Sequence, residues 1–417
     1  MKLYSKISLV LLALAASVAA QAQNTVSPYS KFGYGLLDNN ATSAQMQMGG
    51  VGYAMSSGRQ INVMNPASYA AADSLTFLFD MGLDFTNLKS SEFGADGQKI
   101  KDSQFGGGLN YITMQVPLGK RMGASFGLLP YSSVGYSFGS EIKNGLNARQ
   151  GQGGLNQLYL GLAGRVFKGF SVGFNVSYLF GNIVNDVTIA TNTGSQSLFE
   201  QVMEVRDYRF QFGAQYKFNV NADNRVGLGV VYSPAKTLLG NARVIKYDID
   251  ADTKPDTVGF AKLRHNAELA ASYGGGISWE WQRKLLVEAD FTYQPWSKVK
   301  SMKMENFETT RFADSYRMGL GASITPKERG GFFQRVSYRL GGFYNRDYTM
   351  VGDNHVKEYG IGFGFGLPAY GQKTVVNLGF EYRHRAATDK RLLQENYFNI
   401  RLGINFNQLW FFQNKIQ

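Results

Sequence analysis

The chain has 417 residues and a formal net charge of +12 at neutral pH. It contains no cysteine, which excludes disulfides, thiolate metal sites and a lipid anchor on cysteine. Glycine (49 residues) and aromatic residues (14%) exceed ordinary globular usage, whereas charged residues (18%) fall below it. This balance is typical of β-barrels, and a basic surface suits contact with anionic lipid headgroups.

The first residues have the layout of a cleavable secretory signal. Lys2 and Lys6 precede an apolar run from Ile7 to Ala20, and small residues surround Gln21. The run is shorter than the roughly 20 apolar residues of a membrane-spanning helix, and no later stretch approaches that length. We therefore expect residues 1–22 to be removed, which leaves a periplasmic protein, a secreted protein or an outer-membrane barrel.

Residues 23–74 lack the sustained alternation of strands. They include SPYSKFGYGLL and QMQMGGVGYAMSSG, which are rich in glycine and polar residues. Their apolar residues, among them Tyr29, Tyr34 and Val51, are too numerous for a solvated tail. We expect residues 23–74 to form an N-terminal hatch that plugs the lumen of a barrel built by the rest of the chain.

From Leu75 onward, apolar and polar residues alternate with the period of β-strands, as in NYFNIRLGINF. The polar face consists mostly of Gly, Ser, Asn and Gln, which suits a polar lumen inside a lipid-facing exterior. Six short turns and seven long connections predict fourteen strands, with both chain ends on the short-turn, periplasmic side. The stretch 225–281 could hold two long strands or more.

The expected fold is therefore all-β, a transmembrane antiparallel up-and-down β-barrel over residues 75–407, integral to a bacterial outer membrane. Residues 408–417 would form a periplasmic C-terminal tail. Its residues Trp410, Phe411 and Phe412 suit an interfacial aromatic anchor, and they could instead dock a partner.

Two motifs before the first strand resemble a known family. MGGVGYAMSSG followed by MNPASYAAADSLTF is similar to the hatch of the FadL/TodX outer-membrane transporters of hydrophobic compounds. The hatch-motif residues are Met48, Gly49, Gly50, Gly52, Asn65, Pro66 and Ala67. The resemblance implies a barrel filled by its own N-terminus, with a hydrophobic ligand that enters from outside and leaves sideways. The start SPYSKFGYGLL also resembles members from the Bacteroidota.

The Asn-Pro pair also predicts a local structure, independently of the resemblance. Pro66 lacks a backbone donor and restricts Asn65 to extended conformations, while the Asn65 side chain can bond nearby backbone groups. A stiff bend follows, and it could serve only to deliver the chain into its first strand.

The third barrel strand contains a proline. Pro130 removes a ladder donor and Gly135 follows, so bending or unpairing is expected. In the FadL family a kink in the third strand makes a lateral opening, and LLPYSSVGY looks like the corresponding place. The lateral-opening candidates are Pro130, Tyr131, Ser132, Ser133 and Gly135; the alternative is a strand end without an opening.

Later strands carry charges in the inward phase. The expected lumen charge band consists of Glu288, Asp290, Arg317, Arg339, Glu381, Arg383 and Arg401. A glycine ladder on the twelfth strand crosses this band, formed by Gly360, Gly362, Gly364 and Gly366. Because missing side chains let another backbone approach, we expect Asn65–Ala67 of the hatch to dock on this ladder. An ordinary solvated, internally neutralised lumen is the alternative.

Enzyme, metal and nucleotide chemistry lack support in the sequence. The histidines are His265, His355 and His384, and none forms a catalytic or metal-binding motif with its sequence neighbours. GGVG and GFGFG lack a following helix and a phosphate-binding lysine. We therefore expect no enzyme activity, no cofactor, no metal and no nucleic-acid partner.

Two functions remain. The first is uptake of hydrophobic small molecules, such as long-chain fatty acids, by hatch rearrangement and lateral exit into the outer-membrane lipid. The alternative is a non-transporting FadL-like barrel that serves as a structural subunit of an outer-membrane secretion or assembly machine. Other outer-membrane proteins would then be its partners.

Overall fold

The computed structural model describes residues 26–94, 97–142, 145–192, 195–249, 256–264, 267–300, 311–369 and 374–409. The expected signal at residues 1–22 and the aromatic residues of the tail lie outside these ranges. The helices within them are short, and none is long and apolar enough to cross a membrane.

Twenty strands occur in the described chain. In chain order they are β1 (Leu36–Leu37), β2 (Thr76–Phe93), β3 (Lys99–Pro117), β4 (Met122–Ile142), β5 (Gly145–Phe167), β6 (Phe170–Thr191), β7 (Gln196–Asn219), β8 (Asn224–Ser233), β9 (Lys236–Thr237), β10 (Gly240–Ile249), β11 (Asp256–Arg264), β12 (Glu268–Leu269), β13 (Ser272–Trp281), β14 (Leu285–Gln294), β15 (Arg311–Phe312), β16 (Ser315–Ile324), β17 (Ser337–Val351), β18 (Asn354–Pro368), β19 (Val375–Ala387) and β20 (Gln394–Leu409).

These strands form a closed antiparallel barrel of fourteen, which confirms the predicted count. The pairs β8 with β10, β11 with β13, and β15 with β16 each act as one interrupted barrel strand, while β9 and β12 form a separate small sheet. The uncertain stretch 225–281 thus holds two interrupted strands. The barrel closes where β2 pairs with β20, from Thr76↔Leu409 to Ser91↔Gln394.

The burial pattern is the reverse of that in a soluble sandwich. On β20, Phe398 and Ile400 are each 47% exposed, whereas Asn399 and Arg401 are 3% and 5% exposed. An arginine on the lipid side near the midplane would cost about 2–4 kcal/mol, so the alternation directs it inward. The predicted all-β barrel with an apolar exterior and a polar interior is confirmed.

The segment before β2 lies inside the barrel. It contains β1, a 3-10 helix at Pro28–Lys31, a one-turn helix at Ser43–Met46 and a 3-10 helix at Pro66–Ala71. We call residues 26–74, the described part of the predicted hatch, the hatch. The hatch and the inward faces of the strands together form the packed interior.

Candidate functional site

The hatch bends at the Asn-Pro pair before it enters β2. Pro66 occupies the first turn of the 3-10 helix, where a missing N–H costs nothing, and Asn65 is the extended residue before it. The Asn65 side chain accepts from the N–H of Ala67 at 3.1 Å and donates to the carbonyls of Tyr53 at 2.7 Å and Ala214 at 3.2 Å. The side chain therefore ties the bend both to the hatch and to the barrel wall.

The Met-Gly-Gly stretch lies close against the backbone of β16 and β17. Gly49 and Gly50 have φ of 74° and 70°, a region that favours glycine. Met48 is 2% exposed and packs against Gly341, while Arg317 donates to the carbonyl of Gly49 at 3.0 Å. The glycines of this motif are thus required by the turn and by the contact.

Two carboxylates of β14 bind the hatch backbone. Asp290 accepts the N–H groups of Gly52 at 2.6 Å and Tyr53 at 3.0 Å. Glu288 accepts those of Ala54 at 2.7 Å and Met55 at 3.1 Å. Four consecutive hatch amides therefore have buried carboxylate partners.

Glycines on the barrel strands form a seat for the hatch. A Cβ added at Gly229 would lie 1.9 Å from the carbonyl oxygen of Tyr53, and one at Gly341 would lie 2.1 Å from the carbonyl carbon of Met48. Fourteen described glycines, on twelve of the fourteen barrel strands, would bring a Cβ within 3 Å of a hatch atom. They are Gly82, Gly123, Gly161, Gly173, Gly213, Gly229, Gly274, Gly276, Gly319, Gly321, Gly341, Gly364, Gly379 and Gly403. We call them the glycine seat.

The expected docking of Asn65–Ala67 on the glycine ladder of β18 is wrong. Asn65–Ala67 lies instead against Gly173 of β6 and Gly213 of β7. The hatch residues near the ladder are Met46 and Gln47, whose atoms approach Gly362 and Gly364. The motif and the ladder lie on different sides of the lumen, because the hatch runs across the barrel between them.

The other two ladder glycines, Gly360 and Gly366, lie next to side chains of the barrel wall instead of the hatch. A Cβ at Gly360 would meet the ring of Phe343, and one at Gly366 would meet the guanidinium of Arg339. That guanidinium donates to Gln47 Oε1 at 2.9 Å and Asn377 Oδ1 at 2.8 Å, so it supports the hatch from the side.

The charged residues of the expected band all lie in the lumen, where they join a larger ionic network. The seven are Glu288, Asp290, Arg317, Arg339, Glu381, Arg383 and Arg401. Arg401 contacts Glu381 at 2.6 Å and Asp84 at 3.2 Å, and Arg383 contacts Glu358 at 3.1 Å. The lumen is thus internally neutralised to a large extent.

Sequence reasoning missed Asp84, Asp347, Glu358 and Arg385. Arg385 contacts Glu358 at 2.9 Å and Asp347 at 3.7 Å, and all three side chains are buried. The signal was present, because Arg385 continues the inward alternation of Glu381 and Arg383 on β19.

The barrel wall has a gap beside Pro130. Strands β3 and β4 pair from Ile112↔Leu128 to Pro117↔Gly123, and among the described residues β3 beyond this point pairs only with β2. The β4–β5 register shifts between Pro130 and Ser132.

The hatch covers the β4 side of this gap from within. Leu36 and Leu37 of β1 pair with Ser133 and Ser132, and the N–H of Gly135 donates to Ser30 Oγ at 3.0 Å. The lateral-opening candidates Pro130, Tyr131, Ser132, Ser133 and Gly135 therefore lie at a gap whose inner side is occupied by the hatch.

An aromatic cluster lies at the long-connection end of the lumen. The ring of Trp296 lies 4.5 Å from that of Tyr348 and 5.8 Å from that of Tyr34, and Phe312 packs beside them. The Tyr348 hydroxyl donates to the carbonyl of Gly35 at 2.7 Å and accepts the N–H of Tyr34 at 2.9 Å. We call Tyr34, Trp296, Phe312 and Tyr348 the aromatic cap.

A cavity of about 170 Å³ remains between the hatch and the wall. Its lining includes the guanidinium groups of Arg209, Arg317 and Arg383 and the carboxyl groups of Asp38 and Glu358. Burial raises the pKa of Asp38 to about 6, although its carboxylate accepts the N–H of Asn40. A charged cavity of this size differs from ligand pockets, which are mostly apolar and about 300–1,000 Å³.

The geometry supplies no catalytic arrangement around the described histidines. The His355 ring contacts Arg346, and His384 Nδ1 contacts Asn396 at 2.8 Å; His265 lies outside the described residues. Within the described ranges, no group of three or more His, Asp and Glu side chains could hold a metal ion.

Comparisons with known proteins agree with the barrel. A family model described as BamG matches residues 3–417. The fold is similar to that of the Pseudomonas putida toluene transporter TodX (14% identity, TM-score 0.61, covering 90% of this chain and 99% of that one). It is also similar to a Pseudomonas aeruginosa FadL homologue (11% identity, TM-score 0.61, covering 89% of this chain and 99% of that one). A further similar structure is the CymD monoaromatic hydrocarbon channel (14% identity, TM-score 0.59, covering 88% of this chain and 97% of that one). None of the curated proteins matches the chain.

Proposed function

This chain belongs to the BamG family, and we propose that it is an integral outer-membrane barrel with a permanently plugged lumen, acting as a structural subunit of an outer-membrane assembly or secretion machine. The glycine seat carries this proposal. Glycines under the hatch on twelve of the fourteen strands make the inner wall complementary to the hatch: five of these glycines lie against its backbone and the other nine against its side chains. Such a wall suits a plug that stays in place.

The polar contacts favour the same role. Hatch departure would leave Glu288, Asp290 and four hatch amides without their partners, and each buried group left unpaired costs about 1–3 kcal/mol. The remaining cavity is small and carries several charged groups, and Tyr348 of the aromatic cap contributes to its lining. Charged and polar residues line it together with apolar ones such as Leu37, Met64 and Phe343, whereas ligand pockets are mostly apolar.

The second candidate is uptake of hydrophobic small molecules, such as fatty acids. The gap between β3 and β4 at Pro130 favours it, because a wall opening offers a lateral exit. The toluene transporter TodX and the CymD monoaromatic hydrocarbon channel share the fold. In this role β1 would have to leave Ser132 and Ser133 before a ligand could pass.

A reversible disulfide between the hatch and the barrel wall distinguishes the two proposed functions. A Cβ at Gly364 would lie 2.5 Å from Gln47 Cγ, so the variant Gln47→Cys/Gly364→Cys places two sulfurs within bonding reach, in a chain without other cysteines. We expect the oxidised variant to support cell growth and outer-membrane protein assembly as well as its reduced form. The single variant Gln47→Cys controls for the lost Gln47–Arg339 bond, and Gly364→Cys controls for the side chain added to the glycine seat.

Loss of function on oxidation, restored by a reductant, would contradict a permanent plug and support uptake. A second measurement addresses the partners. The protein is purified from its own outer membrane in mild detergent, and its intact mass is recorded under non-denaturing conditions. We expect a stoichiometric assembly with other proteins; a monomer that carries fatty acids would support uptake instead.

A further inference from the structure

A basic cleft lies at the short-turn end of the barrel, on the opposite side of the hatch from the aromatic cap. Its volume is about 1050 Å³, and the turns β3–β4, β5–β6 and β7–β8 contribute to its lining. The lining includes five cationic side chains and no carboxylate: Arg121, Arg165, Lys168, Lys217 and Arg225.

Two of the five cations support the hatch. Arg165 donates to the carbonyl of Ala70 at 3.3 Å, and Lys217 donates to that of Ser56 at 3.0 Å. Arg225 contacts Glu280 at 3.5 Å, at the edge of the cleft. Arg121 and Lys168 are exposed and form no ion pair with any residue in the described part of the chain.

The nearby carboxylates leave an excess of positive charge. Glu280 is shared with Arg225, and Asp73, close to Gly58 in the cleft floor, is 3.9 Å from Arg59. Several cations around one cleft repel each other unless an anion joins them, and guanidinium groups match the geometry of phosphate oxygens.

Aromatic residues on the outer side of the same turns point to a lipid as the source of the phosphate. Phe167 is 56% exposed, stacks on Phe170 with ring centroids 4.9 Å apart, and has the 39% exposed Tyr216 beside it. Exposed aromatic side chains at a barrel end are typical of the headgroup level of a membrane. Phe167, Phe170 and Tyr216 also line the cleft, next to the tight turn at Lys168 and Gly169.

We propose that the cleft beside Arg121 and Lys168 binds the phosphate of an anionic phospholipid headgroup, with the glycerol and acyl chains lying over Phe167 and Phe170. The proposal rests on the proposed outer-membrane location, in which this end faces the periplasmic leaflet. It does not depend on whether the hatch is permanent. A bound headgroup would touch the hatch floor at Ser56 and Ala71.

The test compares lipid binding by native mass spectrometry of the full-length protein in detergent. Phosphatidylglycerol and phosphatidylcholine are titrated separately, and apparent affinities are read from the lipid-bound peaks. Each basic residue near an anionic headgroup contributes about fivefold in affinity, so Arg121→Gln/Lys168→Gln should weaken phosphatidylglycerol binding by about 25-fold. Binding of phosphatidylcholine should change little.

The matched control is Lys99→Gln/Lys101→Gln, which removes two exposed charges at the other end of the barrel and should leave both affinities unchanged. Inorganic phosphate serves as the soluble competitor. Equal phosphatidylglycerol affinity in the wild type and Arg121→Gln/Lys168→Gln, or an equal loss in the control, would overturn the site. Full displacement of phosphatidylglycerol by millimolar phosphate would overturn the assignment to a lipid. If the variant barrel is correctly folded, either of these results would rule out the lipid site without contradicting the proposed structural role.

Discussion

Glu288 and Asp290, two residues apart on β14, bind four consecutive backbone amides of the hatch. Asp290 accepts from Gly52 and Tyr53, and Glu288 from Ala54 and Met55. Side chains two apart on a strand share one face, so both carboxylates point to the hatch. The hatch bends at Tyr53 and Ala54 and directs two successive N–H groups to each carboxylate.

The first prediction follows from this arrangement. Asp290→Ala leaves the amides of Gly52 and Tyr53 buried without an acceptor, at about 1–3 kcal/mol for each group. We expect faster amide exchange in the peptide that contains residues 52–55, measured by hydrogen–deuterium exchange mass spectrometry. Asp223→Ala, at an exposed turn, should leave this peptide as protected as in the wild type. Equal protection in Asp290→Ala would show that the carboxylate does not hold the hatch.

The second prediction concerns the glycine seat. Gly229→Ala puts a methyl group 1.9 Å from the carbonyl oxygen of Tyr53, so the hatch must shift. Overpacking of this kind costs about 1–3 kcal/mol. We expect a lower midpoint in urea unfolding and faster proteolysis of the hatch.

Gly275→Ala is the matched control for the seat. Gly275 lies on the neighbouring strand β13, and its added Cβ would have only the carbonyl oxygen of Gly229 nearby, at 4.0 Å. This variant should unfold like the wild type. If both variants unfold alike, the inward glycines are not shaped to the hatch.

Much of the fold could be predicted from the sequence because strand alternation is a local signal. The inward direction of Arg401 follows from the alternation of β20 and the cost of a charge in lipid. Where the hatch docks could not be predicted in this way. The contact of Asn65 with Gly213 joins residues far apart in sequence, and many inward glycines offered equally suitable surfaces.

The β3–β4 gap illustrates the same limit. Pro130 signalled a break in pairing, and the β4–β5 ladder does shift there. The pairing of Leu36 and Leu37 with the exposed edge of β4 could not be predicted, because a two-residue strand has no periodicity to recognise. The proline thus indicated where strand pairing breaks, whereas the segment that covers the gap is determined by tertiary packing.

The third prediction concerns pH. Burial raises the pKa of Asp38 from 3.8 to about 6, with Asp84 adding to the rise and Arg401 and Arg317 opposing it. A raised pKa means that the folded state favours the protonated acid, so stability falls as pH rises from about 4 and levels off above about 6. Asp38→Asn keeps an acceptor for the Asn40 amide but removes the buried charge.

We expect Asp38→Asn to be more stable than the wild type at pH 8 by up to about 3 kcal/mol, with no difference at pH 4. Urea unfolding at both pH values measures this. Asp389→Asn, at an exposed turn, should show no such pH-dependent gain. A gain for Asp38→Asn that is equal at both pH values would contradict titration of Asp38 as its cause.

The fourth prediction concerns the aromatic cap. The buried Tyr348 hydroxyl links two hatch residues, since it donates to Gly35 and accepts from Tyr34. Tyr348→Phe keeps the ring and leaves both backbone groups without this partner, which costs about 1–3 kcal/mol for each buried group. We expect faster amide exchange at Tyr34, whose N–H loses its acceptor, and a lower unfolding midpoint. Tyr359→Phe removes the same atom from a 51% exposed ring and should have neither effect. Unchanged exchange in Tyr348→Phe would mean that ring packing against Trp296 alone holds the outer part of the hatch.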